Sequence, residues 1–68
     1  MKLVINGSPR EYEGPPRLAD LLERLEIRRD RRGLAVAVNE SVVRRERYDA
    51  TPLRDGDRIE VIEAVQGG

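Results

Sequence analysis

Apolar residues recur along this chain with two different periods. At the start, Leu3 and Ile5 fall on one side of an extended segment and Val4 on the other, so residues 2–6 are expected to form a short strand. Gly7, Ser8 and Pro9 carry turn chemistry, and residues 10–13 are expected to return as a weaker second strand until Gly14, Pro15 and Pro16 break it. The spacing then changes. Leu18, Leu21, Leu22 and Leu25 stand at i, i+3, i+4 and i+7, the apolar stripe of a helix that a proline at its first position would start. Asp20 in the first turn and Arg24 near the last suit the helix dipole. After a charged connector over residues 27–33, period two returns. Leu34, Val36 and Val38 alternate with Ala35 and Ala37, which predicts a strand with one bulky face and one small one. Asn39, Glu40 and Ser41 read as a turn, Val42 and Val43 as a short strand, and residues 44–52 as an irregular segment with a single helical turn. Leu53 is its core anchor. Asp55-Gly56-Asp57 reads as a tight turn, and residues 58–65 as the longest strand, with Ile59 and Val61 on one face and Ile62 and Ala64 on the other.

This order predicts an α+β plan in two layers, one main helix packed across a four- to five-stranded mixed sheet. Such a plan is a β-grasp, in which the first and last strands lie side by side at the sheet centre. Residues 1–65 are expected to form one domain and residues 66–68 a flexible tail. The helix leucines would pack against Leu3, Ile5, Val36, Val38, Leu53, Ile59 and Val61. Leu, Ile and Val supply 18 of the 68 residues, above the level of about 20% below which chains stay disordered.

Charge and composition remove whole classes of function. Thirteen basic residues balance thirteen acidic ones, so the chain lacks the basic excess of a general polyanion binder. Arg28, Arg29, Arg31 and Arg32 are interrupted by Asp30 and carry no interleaved aromatic residues, which makes them a solvated loop and not a nucleic-acid patch. With no His and no Cys, the usual thiol nucleophile, near-neutral base and soft metal ligands are missing. No apolar run is long enough for a signal peptide or a membrane span, which places the protein in the cytoplasm as an expectation. Asp55 and Asp57 read as turn residues, since a dedicated calcium loop needs more oxygen ligands. Glu11 with Glu13, and Glu60 with Glu63, read as solvated strand faces, and Tyr12 and Tyr48 as half-buried rim residues.

One position invites a chemical reading, the pair Gly67-Gly68 directly after the longest strand. A terminal carboxylate is a poor electrophile, and acyl chemistry on it needs an activated leaving group, typically an acyl-adenylate made with ATP. Another protein must do this, since the chain has no phosphate-binding loop. Glycine lacks Cβ, so Gln66, Gly67 and Gly68 could thread a narrow channel, reaching about 10 Å beyond the strand. A docking patch for that partner is expected on the outer sheet face around Ile62, Ala35 and Ala37, with Val4 nearby. Arg58 and Glu60, with Arg54, Asp55 and Asp57, would form its polar rim.

Leu21-Leu22, Val36-Ala37-Val38-Asn39, Val42-Val43-Arg44-Arg45, Leu53-Arg54-Asp55-Gly56-Asp57-Arg58-Ile59-Glu60 and Ala64-Val65-Gln66-Gly67-Gly68 together resemble the ThiS family, sulfur carriers of thiamin biosynthesis. The resemblance covers nearly the whole chain and is most specific from Asn39 onward. It implies a carrier, not an enzyme, that binds no cofactor and is a monomer when free. Gly68 would be adenylated by a ThiF-type enzyme using ATP and converted to a thiocarboxylate, a 1-thioglycine, with Gly67 in the partner's channel. Its sulfur would come from a donor such as a cysteine desulfurase relay and pass to the thiazole synthase ThiG. Two departures stand out. Arg44 replaces a usual proline, which is expected to change a turn locally, and Gln66 replaces a frequent third glycine. Carriers for tRNA thiolation or molybdopterin synthesis, and ubiquitin-like protein modifiers, end in the same way. Ala64-Val65 in place of a proline pair favours ThiS over the molybdenum branch.

Overall fold

The computed structural model describes residues 1–14 and 17–63. Strand β1 (Lys2–Ile5) is followed by β2 (Ser8–Glu11), helix α1 (Leu18–Arg24), β3 (Leu34–Val38), β4 (Ser41–Val43), a 3₁₀ helix (Arg45–Ala50) and β5 (Arg58–Glu63). The five strands form one sheet in the order β2-β1-β5-β3-β4. β1 and β5 run parallel and adjacent, and the other neighbouring pairs are antiparallel. The expected plan is therefore present, with five strands.

The two hairpins start tighter than the turn chemistry of Gly7-Ser8-Pro9 and Asn39-Glu40-Ser41 implies. Asn6 (φ 48°) and Gly7 (φ 82°) alone make the first turn, and Asn39 (φ 50°) and Glu40 (φ 70°) the second. Two consecutive positive φ values are the geometry of a two-residue turn whose twist matches that of its strands. Ser8 therefore already pairs with Ile5, and Ser41 with Val38. Pro9 sits inside β2, where an edge strand tolerates its missing N–H.

Helix α1 has no side-chain N-cap. Its start is held instead by the Leu18 N–H donating to the Thr51 carbonyl at 2.8 Å and by the Arg17 guanidinium donating to the Asp49 carbonyl at 2.9 Å. The positions of Pro15 and Pro16 lie outside the described residues. The helix stops at Arg24, so Leu25 caps the apolar stripe instead of continuing it. Glu26 takes the left-handed conformation (φ 59°), and the Glu26 and Ile27 N–H groups close back onto Glu23 and Leu22. That is a Schellman ending in which glutamate occupies the site usually held by glycine.

Leu18, Leu21 and Leu22 pack on Leu3, Ile5, Val36, Leu53 and Ile59, all buried, while Val38 and Val61 are half-buried at the margin. Tyr48 corrects the expectation of a rim residue. It is 1% exposed and belongs to the core, because the 3₁₀ helix lies against α1 and turns its ring inward. Tyr12 is half-buried, as expected. Arg44 (φ −72°) holds the angle a proline ring would impose, so its substitution leaves the backbone where the proline would hold it.

Candidate functional site

Strand β5 organises the outer face of the sheet. Ile59 and Val61 point to the helix layer, so Arg58, Glu60 and Ile62 point away from it. Across the ladder to β3, Ala35 stands opposite Ile62 and Ala37 opposite Glu60, and on the other side Val4 stands opposite Arg58. The structure thus brings Ile62, Ala35, Ala37, Arg58 and Glu60 onto one surface. Ile62 is 59% exposed, and the alanines beside it leave its side chain standing above the sheet.

Val42 extends this surface and escaped the sequence reading. It lies opposite Ala37 on β4 and is 76% exposed, the larger of the two exposures among large apolar side chains of the described residues. The signal was available, since a two-residue turn at Asn39-Glu40 puts Val42, two residues after it, in register with Ala37 on the outer face. Pro9, opposite Val4, adds to the far side.

The expected polar rim divides. Arg58 and Glu60 border the apolar surface, and with Val4, Asn6 and Gly7 they line a shallow groove between β1 and β5. Asp55 and Asp57 do other work, in the turn just before β5 begins. Asp55 accepts a bond from the Lys2 backbone N–H, and Asp57 from the Arg54 N–H at 2.8 Å and the Asn39 side chain at 2.9 Å. With Gly56 at φ 90°, these bonds make a turn that ties β5 to β1.

The arginine connector is stitched to the helix layer. The Arg29 guanidinium donates to both Asp49 carboxylate oxygens, at 2.9 and 2.7 Å, and stands 5.7 Å from the Tyr48 ring centroid. These hydrogen bonds hold the Asp49 carboxyl below its ordinary pKa and the Arg29 guanidinium above its own. Arg31 pairs with Glu63 at 2.9 Å, and Arg28 with Asp30 at 3.4 Å. The acidic side chains among the described residues are spread over strands, both helices, turns and this connector, and none gather in the groups of three that hold a metal ion. No helix among the described residues is long and apolar enough to cross a membrane.

Gln66, Gly67 and Gly68, and with them Ala64 and Val65, lie outside the described residues. What the described residues define is a ubiquitin-like β-grasp domain with an apolar outer sheet face at the end of β5 nearest those glycines in sequence. The ThiS family model matches residues 3–68. The sulfur carrier protein ThiS of Thermus thermophilus is 39% identical over 64 residues, 94% of this chain and 95% of that protein. A thiazole synthase of Paramagnetospirillum magneticum is 35% identical over all 68 residues, which span 20% of its own length. The crystal structure of the thiamine biosynthesis protein ThiS of Geobacter metallireducens superposes with a TM-score of 0.81 at 33% identity, covering both chains completely. The chain belongs to the ThiS family, the sulfur carriers of thiamin biosynthesis.

Proposed function

We propose that Gly68 is the working residue, the site at which sulfur is loaded and from which it leaves. A ThiF-type enzyme binds the outer sheet face through Ile62, Ala35, Ala37 and Val42, and receives Gln66, Gly67 and Gly68 in a channel. The Gly68 carboxylate oxygen attacks the α-phosphorus of ATP, pyrophosphate leaves, and an acyl-adenylate forms. The nucleophilic sulfur of a donor such as a cysteine desulfurase relay then displaces AMP. A thiol reductant then attacks the donor's sulfur in the resulting acyl disulfide, forming a mixed disulfide with the donor and releasing the Gly68 thiocarboxylate.

A thiocarboxylate keeps its charge on a soft, polarisable sulfur, which suits it to hand that atom to thiazole formation on a thiazole synthase of the ThiG type. The carrier supplies no catalytic group, and ATP is the activating enzyme's substrate. On this reading residues 1–65 are the handle and 66–68 the probe, and the free protein is a cytoplasmic monomer. The observation that carries the proposal is the family match through Gly68, the second of two glycines following the strand that borders the exposed face. The likeness to part of a thiazole synthase supports the choice of acceptor.

Intact-mass analysis tests it. Protein incubated with the activating enzyme, ATP and a sulfur source is expected to gain the mass of one oxygen-for-sulfur exchange, located on Gly68 by fragmentation. An unchanged mass both after this incubation and in protein from its native host overturns the proposal. A ladder of isopeptide-linked adducts in cell extract would point to a protein modifier instead.

A further inference from the structure

Strand β1 runs out before β5 does. Their parallel ladder ends at Ile5 opposite Ile59, after which β1 turns away through Asn6 and Gly7. β5 continues to Glu63, and on its other side β3 keeps pairing through Leu34 opposite Glu63. The flank abandoned by β1 is taken over by one side chain. The Asn6 backbone N–H donates to the Ile59 carbonyl at 2.9 Å, and its Oδ1 accepts from the Val61 N–H at 2.8 Å. Its Nδ2 donates to the Val61 carbonyl at 3.3 Å. An asparagine amide carries one donor and one acceptor side by side, as a peptide unit does, so it can stand in for one more residue of the missing strand.

The same device appears at the opposite end of β5. The Asn39 N–H donates to the Arg58 carbonyl at 2.7 Å and Asn39 Oδ1 accepts from the Arg58 N–H at 2.9 Å. Both asparagines sit first in their turns at positive φ, where the short amide can fold back toward the neighbouring strand. They differ in what they hold. Asn39 fixes the beginning of β5, next to a turn already tied down by Asp57. Asn6 fixes the last segment before the residues that lead to Gly68.

We propose that Asn6 is a positioning residue for sulfur loading, its side-chain amide standing in for a strand and setting the direction in which β5 presents the terminal glycines. The physical reason is leverage. Seven residues, at most about 25 Å of extended chain, join Val61 to Gly68, so once the sheet face is docked and the tail is held in the partner's channel, a change in the strand's exit angle is carried to the reacting carboxylate. Misplacement of a reacting group by about 1 Å can lower a rate about a hundredfold. The proposal rests on the adenylation reading given above.

Asn6→Gly tests it, since glycine keeps the positive φ of the turn and removes only the amide. Adenylation by the activating enzyme is expected to lose about tenfold in kcat with KM within about twofold, because the docking face is unaltered. The Val61 amide is expected to exchange its hydrogen about tenfold faster. Asn39→Gly, which removes the matching clamp from the far end of β5, is expected to keep the unaltered kcat. Asn6→Asp, retaining the acceptor for the Val61 N–H and losing the donor, is expected to fall between Asn6→Gly and the unaltered protein, and it carries the test alone if Asn6→Gly does not fold. An unaltered kcat in both Asn6 variants, or an equal loss in Asn39→Gly, overturns the positioning role. If the unaltered protein is not adenylated, the functional reading itself falls.

Discussion

The two faces of the sheet are built from neighbouring residues of the same strands and do opposite jobs. On the inner face, Leu3, Ile5, Val36 and Ile59 are buried under the leucines of α1 in one core cluster. On the outer face, the intervening residues are the small Ala35 and Ala37, the exposed Ile62 and Val42 and the half-buried Val4, beside the charges of Arg58 and Glu60. On the function proposed above, an alternation of period two separates stability from recognition within single strands. Inner-face changes should act through folding, and outer-face changes through association with the protein intact.

The largest effect expected of this division is on the inner layer. Leu22→Ala removes a buried side chain between helix and sheet and is expected to cost about 2–5 kcal/mol, measured by denaturant unfolding. In a domain this small, total stability is only about 5 kcal/mol or little more, so partial unfolding at 25 °C is the predicted outcome. A cost under about 1 kcal/mol would mean that the layers do not share one core. Gly68→Ala should do the reverse. Melting is expected to be unchanged, because a residue beyond the strand adds little to stability, while adenylation falls about a hundredfold. Normal adenylation of that variant would detach Gly68 from the chemistry.

Ile62→Asp sharpens the contrast on the outer face itself. Its side chain is largely exposed, so stability should change by less than about 0.5 kcal/mol. A charge in the middle of an apolar docking surface should raise KM for the activating enzyme about tenfold and leave kcat nearly unaltered. Val42→Asp should act in the same direction, more weakly if the partner centres on β5. Should neither variant move KM, the exposed apolar face has no part in this association.

How much of this was legible follows from where each residue's partners lie. The stripe of Leu18, Leu21 and Leu22 and the alternations in β3 and β5 report burial through period alone, so element types and most of the core could be read directly. Tyr48 could not, because its segment has no period and its burial depends on the 3₁₀ helix meeting α1. The start of β2 was misplaced because Ser8 and Pro9 look like turn residues, whereas Asn6-Gly7 alone supplies the geometry. The Asn6 clamp is a contact between residues 55 positions apart in the chain, and a lone asparagine in a turn announces no such partner. Alternation placed Ile62, Ala35 and Ala37 on the outer face, where they lie, but it did not place Val42 there, because that face depends on the register of a two-residue turn.

The smallest expected effect lies on the helix layer, where charges border the core without entering it. Arg29 covers Tyr48 and grips Asp49 through two hydrogen bonds, and both groups remain in contact with solvent. Those bonds lower the Asp49 pKa in the folded state, so the unfolded chain takes up a proton there first as the pH drops. The contribution to stability is therefore fully present above the ordinary aspartate value of about 4 and disappears as the pH falls through the lower folded value. Asp49→Asn is expected to lower Tm slightly at pH 7, and the gap to the unaltered protein should close on acidification below about pH 4. Arg29 titrates far above this range and contributes no pH dependence of its own here. Thermal melts of both proteins between neutral and acid pH check the prediction. A gap that stays constant across that range would assign the effect to packing around Tyr48 and not to the ion pair.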